Sequence, residues 1–135
     1  MRATCLCGAV EITLPERPTS VTFCDCSLCR KLGAVWSYFS KGAVAVTGPT
    51  RAFARSDVPH PSVEAHVCDT CGATTHWLAT ESSGHDRMGA NMRLFHPDDL
   101  VGMEARFMDG LGWDGVAAPQ QRRSPGTIGE DVLVA

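Results

Sequence analysis

The sequence predicts a single, mainly β domain with little helix. The chain has 135 residues, a length typical of one domain with one core. Its 13 glycines and 8 prolines favour many turns over long helices. At residues 10–14, Val10, Ile12 and Leu14 alternate with polar residues until Pro15. This period of two residues is typical of a half-buried strand.

Two further segments, residues 35–39 and 43–47, are apolar and β-prone. Ser40, Lys41 and Gly42 separate them, and a short polar link that contains glycine is typical of a turn. The two segments are therefore predicted to pair as a hairpin. Other strand signals lie at residues 63–67, 74–80, 87–94 and 103–108.

Helix is predicted at only two short places. Residues 27–32 can form one or two turns, which Gly33 would end. Residues 96–100 place a proline and two acids where a helix begins. From about residue 116 the chain is rich in proline, glycine, glutamine and arginine. We therefore predict a domain of residues 1–115 and a tail of residues 116–135 that is flexible or laid over the surface.

Composition excludes some classes of partner. The longest unbroken apolar runs have four residues, whereas a membrane span needs about 20. The N-terminal residues lack the apolar stretch of a secretory signal. The formal net charge is −3, and no basic block offers a face for phosphate backbones. We expect a cytoplasmic protein that binds neither membranes nor nucleic acid, and its oligomeric state is left open.

All seven cysteines fall in three tight clusters. An odd number cannot be fully paired within one chain, and clustered cysteines in a reducing compartment favour metal ligands or reactive thiols over disulfides. On a strand, residues i and i+2 point to the same face, so a CxC can direct two sulfurs at one ion. A CxxC followed by glycine does the same on a tight turn. The clusters are Cys5/Cys7, Cys24/Cys26/Cys29 and Cys68/Cys71.

Two pairs of thiolates make a four-cysteine site, which is the usual closed, structural zinc site. Soft thiolates favour zinc among the common metals. Four sulfurs from seven leave three, and a zinc with three protein ligands is typical of catalytic sites, where an outside ligand takes the fourth position. An iron–sulfur cluster and free redox thiols are the alternatives.

Spacing alone leaves two divisions of the cysteines open. In the first, the second and third clusters make the closed site with Cys26, Cys29, Cys68 and Cys71. In the second, the first and third clusters make it with Cys5, Cys7, Cys68 and Cys71. The second division leaves a contiguous triplet for the open site on one short loop, and we favour it for that reason. The triplet is Cys24, Cys26 and Cys29.

The order CxCG, CxCxxCRKxxG and CxxCG resembles the glutathione-dependent formaldehyde-activating enzymes. The matching residues are 5–8, 24–33 and 68–72, and residues 88–92 and Trp113 are similar less specifically. The resemblance covers about residues 1–115. It implies the small antiparallel β fold called a β-tent, stapled by zinc.

The resemblance also implies a ligand set and an activity. A structural zinc would be held by Cys5, Cys7, Cys68 and Cys71, and an active-site zinc by Cys24, Cys26 and Cys29. The family's activity joins formaldehyde to glutathione to give S-(hydroxymethyl)glutathione, formally a carbon–sulfur lyase reaction in reverse. The expected partners are thus a small-molecule thiol and an aldehyde. The alternative is a non-catalytic zinc-binding carrier or protein-interaction module on the same scaffold.

Three residues near the triplet are candidates for contacting substrate. Arg30 and Lys31 directly follow it and could meet a carboxylate of a glutathione-like ligand, although a solvated helix end also explains them. Alternation places Trp36 and Tyr38 on one face of a strand. Core packing explains both, and Trp36 is also a candidate pocket wall. No histidine lies at zinc-ligand spacing from the triplet, and His66 is a candidate for supporting the third cluster from outside.

Overall fold

The computed structural model describes residues 1–132, and its architecture is mainly β. Within these residues there are eleven strands, two short α-helices and two single 3₁₀ turns. The mainly β fold with little helix is therefore confirmed. The strands are β1 (Arg2–Thr4), β2 (Glu11–Thr13), β3 (Ser20–Cys24), β4 (Trp36–Ser40), β5 (Ala45–Thr47), β6 (Thr50–Ala54), β7 (Val63–Cys68), β8 (Thr74–Ala79), β9 (Arg87–Asn91), β10 (Glu104–Met108) and β11 (Gly126–Thr127). The helices are α1 (Ser27–Leu32) and α2 (Pro97–Leu100), and the 3₁₀ turns are Glu81–Ser83 and Met92–Leu94.

The strands form two sheets. Eight strands make the large sheet in the order β11-β10-β3-β4-β9-β8-β7-β6, and three make the small sheet in the order β1-β2-β5. The pairs run antiparallel as expected, with the exception of β3 and β10. Those two strands are parallel, with Val21 opposite Ala105. Strand β10 therefore lies beside β3, which ends at the second cysteine cluster.

Helix α1 begins and ends where the sequence predicts. The Cys26 side chain caps its first turn by accepting a hydrogen bond from the backbone N–H of Cys29. Gly33 ends the helix with a φ of 64°, in the left-handed region that glycine adopts at little cost. The capping residue is thus itself a cysteine of the second cluster.

The predicted hairpin over residues 35–47 is wrong. β4 pairs with β3 and β9 in the large sheet, whereas β5 pairs with β2 in the small one. The turn between them, closed by a hydrogen bond from Ala43 N to Ser40 O, carries the chain from one sheet to the other. Alternation shows which face of a strand is buried but not which strand lies beside it.

The main core joins both sheets. Ile12 from the small sheet packs in one cluster with Val21, Met88 and Ala90 from the large sheet. A smaller buried cluster contains Cys5, Val10 and Cys68, so two of the cysteines are themselves part of the apolar interior. The longest helix among the described residues has six residues, far short of a membrane span.

The end of the described chain returns to the core. β11 pairs with β10, and Ile128 and Val132 are buried in the main cluster. Of the predicted tail, residues 116–125 are exposed on the surface, and residues 133–135 lie outside the described residues. The division into a domain of residues 1–115 and a flexible tail therefore stays a prediction.

Candidate metal centres

The first and third cysteine clusters meet at one point. β1 leads into Cys5 and Cys7, and β7 ends at Cys68, with Cys71 on the turn that follows. Their four sulfurs lie within 4.8 Å of one another. The Cys5 and Cys7 sulfurs are 3.6 Å apart, and those of Cys7 and Cys68 are 3.8 Å apart. A tetrahedral zinc with Zn–S bonds of about 2.3 Å needs sulfurs about 3.8 Å apart, so the four cysteines fit this metal.

Backbone geometry aims these sulfurs. The N–H of Gly8 donates to the carbonyl of Cys5, and that of Gly72 to the carbonyl of Cys68. Both glycines have positive φ angles, 81° and 75°, which these tight turns require. Backbone N–H groups also reach the sulfurs, because Val10 N lies 3.3 Å from Cys5 Sγ. A metal here would tie the turn after β1 to the end of β7, and thus the small sheet to the large one.

The second cluster forms a separate group. Cys24 is the last residue of β3, Cys26 caps α1 and Cys29 lies in its first turn. Their three sulfurs lie within 4.8 Å of one another, and among residues 1–132 this group has three members. Cys24 is buried, and the other two are half-buried. The sulfurs are thus grouped as in the second of the two divisions left open by spacing.

The three thiols share charge strongly. Hydrogen bonds from the Cys24 and Cys29 thiols lower the pKa of Cys26 to about 2. The same contacts, first with Cys24 and then with Cys26, raise the pKa of Cys29 far above its usual range. The cluster therefore holds one thiolate and resists a second. A soft cation would take the place of the remaining protons, and the donor set fits zinc.

Arg55 supports this cluster from the loop after β6. Its Nε donates to Asp57 Oδ1 at 2.6 Å, and its Nη2 donates to Asp57 Oδ2 at 2.7 Å and to Ser27 Oγ at 2.6 Å. After the Cys24 and Cys29 thiols, the positive charge of Arg55 also contributes to the low pKa of Cys26. Nothing in the sequence pattern singles out this arginine, because the contact joins residues distant along the chain.

Trp36 is both buried and in contact with the cluster. Its indole Nε1 donates to Cys29 Sγ at 3.2 Å, and its residue is 2% exposed. Tyr38 lies on the same strand face, and both rings pack against Trp77. Burial, followed by the neighbouring Cys29 and Cys24 charges, raises the pKa of Tyr38 to about 12. The phenol therefore stays protonated at neutral pH.

The structure separates Arg30 from Lys31. Arg30 lines a cavity of about 240 Å³ together with Cys24, Cys29 and Arg93. Lys31 lines a different cavity of about 300 Å³, on the side of α1 that faces β6. Consecutive helical residues point about 100° apart, so one short helix directs them to different sides. Only Arg30 of the two shares the cavity with the cysteines.

Two histidines stack in the large sheet. The rings of His66 and His76 lie 4.3 Å apart, and Thr50 Oγ1 lies 3.0 Å from His66 Nδ1. Burial, with a smaller contribution from His66, lowers the pKa of His76 to about 4. The His66 ring is thus engaged by His76 and Thr50, while its proposed support of the third cluster stays a prediction.

Comparison with known proteins agrees with the cysteine pattern. The family model described as glutathione-dependent formaldehyde-activating enzyme matches residues 1–105, which include all seven cysteines. A crystal structure of a Rhodobacter sphaeroides protein, a structural-genomics target, has a similar fold with a TM-score of 0.58. It is 28% identical, over 76% of this chain and 97% of that chain. No curated protein matches the chain. The chain belongs to the family of glutathione-dependent formaldehyde-activating enzymes.

Proposed function

We propose that the protein is a zinc-dependent enzyme of the carbon–sulfur lyase type that acts on a thiol–aldehyde adduct. The adduct we favour is S-(hydroxymethyl)glutathione, formed from glutathione and formaldehyde. One observation carries the proposal: three clustered cysteine sulfurs lie beside an open cavity that Arg30 also lines. Family membership supports glutathione and formaldehyde as the substrates.

We assign two zinc ions to the chain. The structural ion would be held by Cys5, Cys7, Cys68 and Cys71, and the four-sulfur geometry supports this because it completes a tetrahedron. The active-site ion would be held by Cys24, Cys26 and Cys29, whose three sulfurs leave one of the four usual positions to a substrate. All seven cysteines are free thiols, and a reducing compartment preserves such thiols. We accordingly keep the cytoplasm as the proposed location.

The proposed chemistry forms one bond between the substrate sulfur and the aldehyde carbon, and the aldehyde oxygen takes up a proton. Zinc, when bound, would hold the substrate thiol as a thiolate at neutral pH. With three anionic sulfurs the site has a net charge of about −1, which weakens polarisation of a carbonyl. The role proposed for the cysteines is therefore to position a thiolate nucleophile.

The surrounding side chains have separate proposed roles. Arg30 would bind a carboxylate of glutathione, since it lines the cavity beside Cys24 and Cys29. Trp36 would hold the Cys29 sulfur through its N–H. Lys31 faces the other cavity, and substrate contact through it remains a prediction. Tyr38 stays protonated and is available as a hydrogen-bond donor.

Magnetisation-exchange NMR with ¹³C-formaldehyde tests the proposal. Glutathione and formaldehyde form the adduct slowly without catalyst, so exchange between the free and bound carbon signals reports turnover directly. The zinc-loaded protein should accelerate this exchange, and C26S should lose the acceleration. Exchange at the rate of buffer alone, with zinc bound, would instead support the non-catalytic carrier or interaction module.

Cobalt substitution separates binding from turnover. If glutathione binds through its thiol, it should alter the optical spectrum of the cobalt protein, and S-methylglutathione should not. An R30Q variant should need more glutathione for the same spectral change, whereas K31Q serves as the matched control on the neighbouring residue. An unchanged spectrum with saturating glutathione would refute thiol coordination.

A further inference from the structure

The chain after β10 folds back over the loop that carries the second cysteine cluster. Gly110 approaches this loop so closely that a Cβ on it would lie 2.5 Å from Cys24 Sγ and 2.7 Å from Cys26 Cβ. Real side chains do not occupy such positions, so glycine is needed here because it has no side chain. The backbone at Gly110 therefore lies directly against two of the three cysteines.

Asp25 fastens this backbone to the cysteine loop. Its Oδ1 accepts hydrogen bonds from Gly110 N at 2.7 Å and from Leu111 N at 3.1 Å. Asp25 stands between Cys24 and Cys26 in the sequence. Any movement of this carboxylate therefore moves the backbone that carries two sulfurs. Its carboxylate satisfies two consecutive N–H groups, which is a usual role for aspartate in loops.

Arg122 holds the same segment from its far end. Its Nη1 lies 3.0 Å from the carbonyl oxygens of both Phe23 and Met108 and donates to them. Its Nε lies 3.9 Å from Asp25 Oδ2. The guanidinium thus joins the ends of β3 and β10 to the carboxylate of the cysteine loop. Arg122 also lines the cavity that contains Cys24 and Cys29.

Backbone pairing keeps Arg122 in place. The N–H of Arg122 donates to the carbonyl of Phe107 at 2.9 Å, and the N–H of Asp109 donates to the carbonyl of Gln120 at 2.8 Å. The side chain of Gln121 accepts from Phe107 N at 2.7 Å. Residues 109–123 are therefore closed into a loop at its base, and we call this loop the C-terminal strap.

We infer that the C-terminal strap is a wall of the three-cysteine site and that Arg122 is the positioning residue that fixes it there. The strap lies wholly outside residues 1–105, the part that the family model matches. Contacts behind a ligand set its orientation and tune the metal, and Asp25 and Gly110 supply such contacts to two sulfurs. The inference rests on the proposed function only in that the triplet is taken to bind zinc.

Zinc release tests the role of Arg122. The zinc-loaded protein is mixed with a chromogenic chelator, and the fast phase is assigned to the three-cysteine site with C29A. R122Q should release this zinc about 10-fold faster, the lower end of the effect of lost outer contacts. R123Q is the matched control, because the Arg123 guanidinium stacks over the Phe107 ring at 4.3 Å. The slow phase should be unchanged in both, and equal fast phases in R122Q and R123Q would overturn the inference.

A double-mutant cycle tests whether Asp25 and Arg122 act through one structure. D25N should release zinc faster and change the cobalt spectrum of the three-cysteine site in the same direction as R122Q. If both hold the strap, the double variant should be no worse than the more affected single variant. Fully additive effects would show two independent contributions and would overturn the inference.

Amide hydrogen exchange tests the strap without any substitution or metal. The N–H groups of Gly110 and Leu111 should exchange slowly because they donate to Asp25, while the flanking exposed amides exchange fast. Fast exchange at both would overturn the inference even if the variants failed to fold. A protein with slow exchange and fast zinc release in R122Q, but without formaldehyde chemistry, would refute the proposed function and leave the strap standing.

Discussion

The indole N–H of Trp36 donates to the sulfur of Cys29 at 3.2 Å. The indole is nearly fully buried, so water does not replace this donor when it is lost. Hydrogen bonds to a charged partner are worth about 1.5–3 kcal/mol. The contact therefore stabilises the form in which Cys29 is a thiolate, which is the form that binds metal.

W36F tests this contact, since phenylalanine keeps most of the apolar bulk and removes the N–H. We expect metal affinity at the three-cysteine site to fall about 10-fold, measured by competition with a chelator, and the cobalt–thiolate absorption to shift. W77F is the control, because Trp77 packs on the Trp36 ring but is not the donor to Cys29. Equal affinities in W36F and W77F would contradict the assignment.

C29A and C71A should separate the two metal sites. C29A should lose one zinc and keep the fold. C71A should lose the zinc that ties β7 to the turn after β1, and binding energy at structural zinc is folding energy. Its melting temperature should fall by about 10 °C or more. Metal content by mass spectrometry and thermal unfolding check both, and equal loss of stability would overturn the division into two roles.

Arg55 should affect the metal through both its charge and its shape. R55M removes the positive charge beside Cys26 and the bonds to Ser27 and Asp57. We expect zinc to leave the three-cysteine site about 10-fold faster. R55K should lie between, because lysine keeps the charge but not the two-pronged contact with Asp57. The exposed Arg51 gives the control R51M, and an equal release rate in R55M and R51M would refute the prediction.

His76 should make the protein less stable in acid. Burial first, and then His66, lowers its pKa to about 4 in the folded protein, against about 6.5 in an unfolded chain. Between these values the unfolded chain takes up a proton that the folded protein refuses, so stability falls as pH drops from about 6.5 to 4. The contribution is about 3 kcal/mol at most. Denaturant unfolding of H76Q should show a weaker pH dependence in this window, and an unchanged dependence would refute the prediction.

Metal loading of the triplet should also depend on pH. Contacts with Cys24 and Cys26 raise the pKa of Cys29, and contacts with Cys26 are the main cause of the raised pKa of Cys24. Both thiols must lose protons when zinc binds, so affinity should rise with pH. Calorimetry in buffers of different ionisation enthalpy should report about two protons released per zinc at this site. Binding without proton release would contradict the three-thiolate ligand set.

Local features of the fold were predictable because neighbouring residues decide them. The boundaries of α1 follow from its N-terminal turn and from Gly33, which needs no distant partner. The strand at residues 10–14 was visible from alternation, and Ile12 is buried as predicted. The hairpin over residues 35–47 failed because both segments pair with strands far away in the sequence.

The sequence by itself determined the three cysteine clusters, because i, i+2 and i, i+3 spacings act within one strand or turn. Only the tertiary structure decided that Cys5 and Cys68 share a site, since β1 and β7 belong to different sheets. It also brought Arg55 to Cys26 and Gly110 to Cys24. Short-range spacing is set by backbone geometry. Contacts between distant segments depend instead on how the two sheets bury their apolar faces, and a single pattern of alternation does not specify that packing.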